Sequence, residues 1–192
     1  MLENIIVLLF PLALLYAALR DLASYQIPNW LSLAIVADFV AGALATSLDL
    51  SAIGWHLSAG LATLLVGILL FARGLIGGGD AKLLAACAVW VGWPGLPRFC
   101  LVVAVLGGLL ALLVLGLRRV SLPAWWAERA WIRRLQSAEQ GIPYGVAIGI
   151  GGVVVFKDLP LVAPLVADLP LLASAASHVL EPWRAALTLA TI

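Results

Sequence analysis

Apolar residues come in long blocks broken by short clusters of charge, glycine and proline. The blocks run near Ile5 to Leu19, Trp30 to Leu50, Gly54 to Phe71, Ala81 to Trp93, Phe99 to Leu117 and Ile142 to Phe156. A hydrocarbon core of roughly 30 Å takes about 20 helical residues to cross, so these blocks predict membrane helices, the fourth and sixth being short for the task. They are too long and too uniformly apolar for barrel strands, and lipid offers the backbone no hydrogen-bond partner outside its own helix. The pattern predicts an all-α, polytopic membrane protein with about six transmembrane helices.

Composition agrees. Of 192 residues 64% are hydrophobic and 11% charged, and the mean hydropathy is +1.13, far from the make-up of a soluble domain. Glu3 precedes the first block and Arg20 follows it, the reverse of a cleavable signal peptide, so that block is expected to stay as a membrane helix. The net charge of +1 carries no information about partners, and no nucleic-acid partner is expected. Where the charges fall is more telling. With alternating helices, Arg20, Arg73, Lys82, Arg118, Arg119, Arg129, Arg133 and Arg134 share one side, and Arg98 and Lys157 the other. The positive-inside rule makes the first side cytoplasmic and the N-terminus external. Cys87 and Cys100 have no C-x-x-C spacing and read as small buried hydrophobes; no metal or cofactor is expected.

Two segments depart from the apolar pattern. Arg118 to Gln140 is basic and tryptophan-rich, with Pro123 at a plausible helix start. Ala124, Ala127, Trp131, Leu135 and Ala138 form one apolar stripe there, which predicts an amphipathic helix on the cytoplasmic leaflet or, alternatively, a docking surface for a partner. The tail from Leu159 to Ile192 is broken by Pro160, Pro164, Pro170 and Pro182, and reads either as a surface segment or as a kinked extra span over Leu161 to Leu180. The chain divides into a membrane-embedded domain over 1–158 and an apolar, proline-containing tail over 159–192.

Candidate chemistry lies at the polar breaks. Gly77-Gly78-Gly79-Asp80-Ala81-Lys82 places three glycines and a carboxylate before the fourth block. The glycines are free to take φ > 0 and to let another chain approach closely, and Asp80 reads either as a helix N-cap or as a reacting acid. Asp21 follows Arg20 at the cytoplasmic end of the first helix and reads either as a solvated partner of Arg20 or as a second acid. The linker to Pro28 and Asn29 is short, with Pro28 suited to the first turn of the second helix, so the first two helices are expected to be antiparallel neighbours. Asp38 lies about 13 Å into the second helix, where an ionisable group is a functional candidate by default; the alternative is a protonated acid bonded to Thr63 or Ser58. Asp49 and His56 fall near external helix ends and attract no chemistry. Pro143, Tyr144 and Gly145 open the last block, with glycines suited to close helix packing.

Two carboxylates on one membrane face are the minimum equipment for hydrolysing an amide. The ionised one takes a proton from water, and the neutral one donates to the scissile carbonyl and then protonates the departing amine. The two would share a proton, and the residues do not decide which acid takes which role. Gly77 to Gly79 would let a peptide backbone approach closely.

Gly77-Gly78-Gly79-Asp80 fits a G-x-G-D pattern, and Asp21 stands six residues before Ile27-Pro28-Asn29. Together with Pro143-Tyr144-Gly145, these residues resemble the type IV prepilin peptidases. The resemblance implies an inner-membrane aspartic endopeptidase that removes the short basic leader of prepilins, ahead of their apolar helix, on the cytoplasmic side. Its partners would be the prepilin, the lipid bilayer and the pilus-assembly machinery, with Asp21 and Asp80 catalytic. Gly77, Gly78, Gly79, Lys82, Pro28, Asn29, Pro143, Tyr144 and Gly145 would shape the loop or bind substrate. Larger members also N-methylate the new terminus and carry a long early cytoplasmic loop. Here only Leu22 to Ile27 separate Asp21 from Pro28, so the chain resembles the short, peptidase-only branch of Flp (tight-adherence) pili. It departs from many relatives at Ser24-Tyr25-Gln26, where they place basic residues. Two rivals stand beside this reading: a small proton-coupled transporter or channel built around Asp38, and a non-catalytic pilus-assembly scaffold.

Overall fold

A computed structural model of the chain describes residues 2–120, 123–127, 129–137, 141–156, 158–159 and 161–162, and over them the regular structure is entirely helical. The elements are α1 (Leu2–Ser24), α2 (Asn29–Ala45), α3 (Leu50–Ala72), α4 (Gly78–Arg118), α5 (Ala124–Ala127), α6 (Ala130–Gln136) and α7 (Tyr144–Phe156). Among the described residues three helices are long and apolar enough to cross a membrane, over Ile6–Ser24, Leu50–Ala72 and Gly78–Arg118, while α2 and α7 are apolar but shorter.

The fourth and fifth expected helices form one element with a sharp break. Gly92 has φ 65 and ψ 174, and Pro94 and Pro97 follow it. The backbone reverses there. Val103 packs on Gly151 and Gly107 on Tyr144, while Arg118 donates to the carbonyls of Leu135 and Gly141. The second arm of α4 therefore returns to the end where the first arm began. At the far end Arg98 pairs with Asp158 at 2.8 Å. The reversal is held by His56, whose Nδ1 lies 2.7 Å from the Val89 carbonyl oxygen and whose ring lies under Gly92. His56 is thus buried and structural rather than a polar helix end.

The core forms where α1, α2 and the first arm of α4 converge on Trp90. Phe10 stacks on its ring at 4.6 Å, Phe39 meets it edge-on at 5.8 Å, and its indole N–H donates to the Ile35 carbonyl at 2.9 Å. Buried Ile148 and Val155 extend this core into α7, and Leu159, Leu161 and Val162 fold back onto it. Of the expected tail over 159–192, only those three residues are described. Small residues set the helix spacing: a Cβ on Gly149 would lie 2.9 Å from the Leu14 carbonyl oxygen, and one on Gly60 would collide with Val89.

Three expectations need correction. The basic connection is two short helices rather than one, because Arg129 is extended (φ -68, ψ 123). Among its described side chains Ile132 and Leu135 are buried, whereas Trp131 is exposed, and Arg134 donates to the Ala23 carbonyl, so α6 is pinned to the bundle; of the expected stripe, Ala138 and the side chains of Ala124 and Ala127 lie outside the described residues. Asp38 bonds neither Thr63 nor Ser58. Thr63 donates to the Ala59 carbonyl and Ser58 to that of Trp55, which leaves Asp38 Oδ2 buried without a partner. The three glycines before Asp80 have no positive φ; among the glycines that conformation belongs to Gly74 and Gly92.

Candidate active site

Asp21 sits in the last turn of α1, which runs five residues beyond its expected end at Leu19. Tyr25 stops the helix in a left-handed conformation (φ 55), with its N–H on the Asp21 carbonyl at 2.8 Å. Ile27 follows, and then Pro28, which occupies the N-cap of α2 rather than its first turn.

A carboxylate at a helix C-terminus faces the negative end of that helix's dipole. Asp21 escapes this because it points at the start of another helix. The backbone N–H of Gly145 donates to Asp21 Oδ2 at 2.7 Å, and the Val146 amide is directed at the same carboxylate. Asp21 is 5% exposed, so these amides stand where water would otherwise be. Gly145 is needed here for space: a Cβ would lie 2.8 Å from Asp21 Oδ2 and 2.8 Å from Ile27 Cδ1.

Asp80 also lies at a helix N-terminus. Gly77 is the extended N-cap of α4 (φ -72, ψ 147), which puts Asp80 in the first turn, where the dipole favours a negative charge. Its carboxylate turns back toward the Gly77 amide, an arrangement akin to a capping box, and a Cβ on Gly77 would lie 2.8 Å from Asp80 Oδ2. The Gly145 amide faces Asp80 as well as Asp21, and the charge of Asp21 acts on Asp80. One backbone N–H is therefore directed at two carboxylates that are 59 positions apart in sequence.

Ile27 brings the three starting points together. Its side chain packs on Gly145 and, through Cβ, against Gly79, where an added Cβ would be 3.2 Å away. The glycine run thus serves close approach of the Ile27 linker. Asp21, Asp80, Gly77, Gly78, Gly79, Pro28 and Asn29 line one recess of about 490 Å³, joined by Arg20, Tyr25, Gln26 and Ile27. Lys82 lies just outside it and donates to Asn29 Oδ1 at 2.7 Å, tying α4 to α2. Pro143 is buried beneath, and Tyr144 packs on Gly107 of α4 instead of lining the recess.

Sequence reasoning missed Tyr25. Its hydroxyl is buried with no hydrogen-bond partner, and burial pushes its phenol above the ordinary value, with Arg118 and Arg134 opposing and Asp21 reinforcing the shift. The group stays a protonated donor at neutral pH. No signal short of the fold marks it, since its neighbours come from α1, α4 and α6. Among the described residues no cluster of His, Cys, Asp and Glu could hold a metal ion.

Residues 8–112 match the Type IV leader peptidase family, a span that covers more than half of the chain and contains both acids. The chain belongs to that family. Over 77 residues it is 36% identical to a protein named prepilin leader peptidase/N-methyltransferase in Burkholderia pseudomallei strain 1026b, and equally to the protein of the same name in strain K96243. The alignment takes in 40% of this chain and 20% of each relative, so the chain spans about a fifth of the length of the curated relatives it matches. No solved structure matches it.

Proposed function

We propose that this chain is an aspartic leader peptidase that cleaves the short basic leader from prepilins, with Asp21 and Asp80 as its two acids. The observation that carries this reading is the Gly145 amide, which faces both carboxylates at the edge of a single recess. Like charges so placed cannot both ionise cheaply, so the pair holds one proton between them. The ionised carboxylate takes a proton from water as the water oxygen bonds to the scissile carbonyl carbon. The neutral acid donates to the carbonyl oxygen; collapse of the tetrahedral species then breaks the C–N bond, and the amine leaves with a proton from the pair. Water is the only co-reactant.

Six helical passes are proposed, with α1, α2, α3, the two arms of α4 and α7 crossing an inner membrane and the recess facing the cytoplasm. Arg20, Arg73, Arg118, Arg119, Arg129, Arg133 and Arg134 on the recess side support that orientation. The short link from Leu22 to Ile27 supports a peptidase without N-methyltransferase activity. Co-expression with a prepilin, followed by immunoblotting for pilin size, tests the reading. The wild-type chain is expected to shorten the prepilin, and Asp21→Asn or Asp80→Asn to leave it full length; shortening by either variant at wild-type membrane abundance would overturn the assignment. Asp38→Asn is expected to leave processing intact, whereas a transporter built on that residue would lose its flux.

A further inference from the structure

Consecutive helices α2 and α3 scarcely approach each other, and the first arm of α4 lies behind the gap. The result is an apolar groove of about 850 Å³, floored by Ala81, Ala85 and Ala86 and walled by Val36, Leu61 and Leu64. Toward its far end α2 and α3 are tied together where Phe39 stacks on His56 at 5.0 Å and His56 bonds the Val89 carbonyl. The other end runs into the catalytic recess, for Asn29 and Gly78 line both spaces. From Gly78 to Val89 the groove extends about 16 Å at the rise of an α-helix, room for roughly three turns of an apolar helix.

Two features separate this groove from an ordinary lipid-facing surface. Its floor is built of alanines, which let a helix backbone approach closely. It also contains Ser32, a residue 8% exposed whose hydroxyl is buried without a partner. A helical serine ordinarily bonds a carbonyl one turn back, and this one does not. An acyl chain offers such a hydroxyl nothing, whereas a helix carries donors and acceptors.

We propose that the groove seats the apolar helix of the substrate, immediately after the scissile bond. The inference rests on the leader-peptidase reading and adds the site that positions the substrate. Polarity changes along the cavity in the order the substrate requires: acids and open polar backbone in the recess for the basic leader and the bond to be cut, then an apolar channel. Because Asn29 and Gly78 line both spaces, a helix seated in the groove leads into the recess, and the peptide bond just ahead of it reaches Asp21 and Asp80.

The test is site-specific photocrosslinking in membranes that contain the full chain and a prepilin. Benzoylphenylalanine replaces Leu61, an exposed groove wall, or Leu113, an exposed position on the second arm of α4 outside the groove. Prepilin cleavage by the wild-type chain is measured in parallel, along with a version of the substrate that ends before its apolar helix. A prepilin adduct from position 61 and none from 113, with kcat/KM at least about tenfold lower for the shortened substrate, is the expected result. Cleavage of the prepilin together with adducts at 61 only to lipid, or only to a second copy of this chain, overturns the groove assignment alone. Absence of cleavage of either substrate overturns the leader-peptidase reading and the groove with it.

Discussion

The backbone N–H of Gly145 donates to Asp21 Oδ2 at 2.7 Å across 124 positions of sequence, joining the start of α7 to the end of α1. The contact fixes the direction of the Asp21 carboxylate, and the same amide also faces Asp80. Gly145→Ala inserts a methyl 2.8 Å from Asp21 Oδ2 and from Ile27 Cδ1, so the acid and the linker must both move. Displacement of a reacting group by about 1 Å costs roughly a hundredfold in rate. The variant is expected to accumulate in membranes while kcat/KM for prepilin falls by about that factor. Near wild-type kinetics would show that this amide does not position the acid.

Lys82 and Asn29 form a second tie, at the junction between the recess and the groove, with 2.7 Å between Nζ and Oδ1. A charged donor on a neutral, exposed acceptor is worth about 1 kcal/mol. Lys82→Met and Asn29→Ala are each expected to raise KM a few-fold, and the double variant to do no worse than the weaker single one. Multiplicative effects in this cycle would mean that the two side chains act separately.

The turn at Gly92 should matter for stability rather than chemistry. Its φ of 65 and ψ of 174 lie in a region open essentially to glycine alone, costing any other residue about 1–3 kcal/mol, and an alanine Cβ would also sit 2.8 Å from the His56 ring. Gly92→Ala is expected to lower the midpoint of thermal unfolding in detergent by about 5 °C or more, with kcat unchanged below the transition. An unchanged midpoint would show that the reversal does not depend on this glycine.

Tyr25 offers a contrasting case. Its hydroxyl has no partner in the folded chain, so Tyr25→Phe removes no hydrogen bond and is expected to leave the unfolding midpoint within about 1 °C. If the recess supplies the partner only when substrate is bound, KM rises several-fold while kcat persists. A clear drop in stability would show that the hydroxyl is already paired in the free protein.

The sequence exposed the parts of the site that rest on local pattern. Hydrophobic blocks marked the helices, Pro28 and Asn29 the short return into α2, and the glycine run with Asp80 the start of α4. It did not expose what depends on separated segments. Glycines 77 to 79 suggested positive φ, yet their use is close approach to Ile27 and Asp80, a fact about neighbours rather than dihedrals. Periodicity made one helix of Ala124 to Ala138, but Arg118 and Arg134 hold carbonyls of other segments, and the chain breaks at Arg129 to suit. Gly145 was legible as a packing residue; its amide became meaningful only once α7 was set against α1.

Rates of prepilin cleavage by the purified wild type, Asp21→Asn, Asp80→Asn and the double variant test most directly whether Asp21 and Asp80 act as one unit. Each single variant is expected to lose about a thousandfold or more in kcat/KM, and the double variant to be no slower than the worse of the two. A single variant that keeps a tenth of the wild-type rate, or losses that multiply in the double variant, would contradict joint action by the two acids.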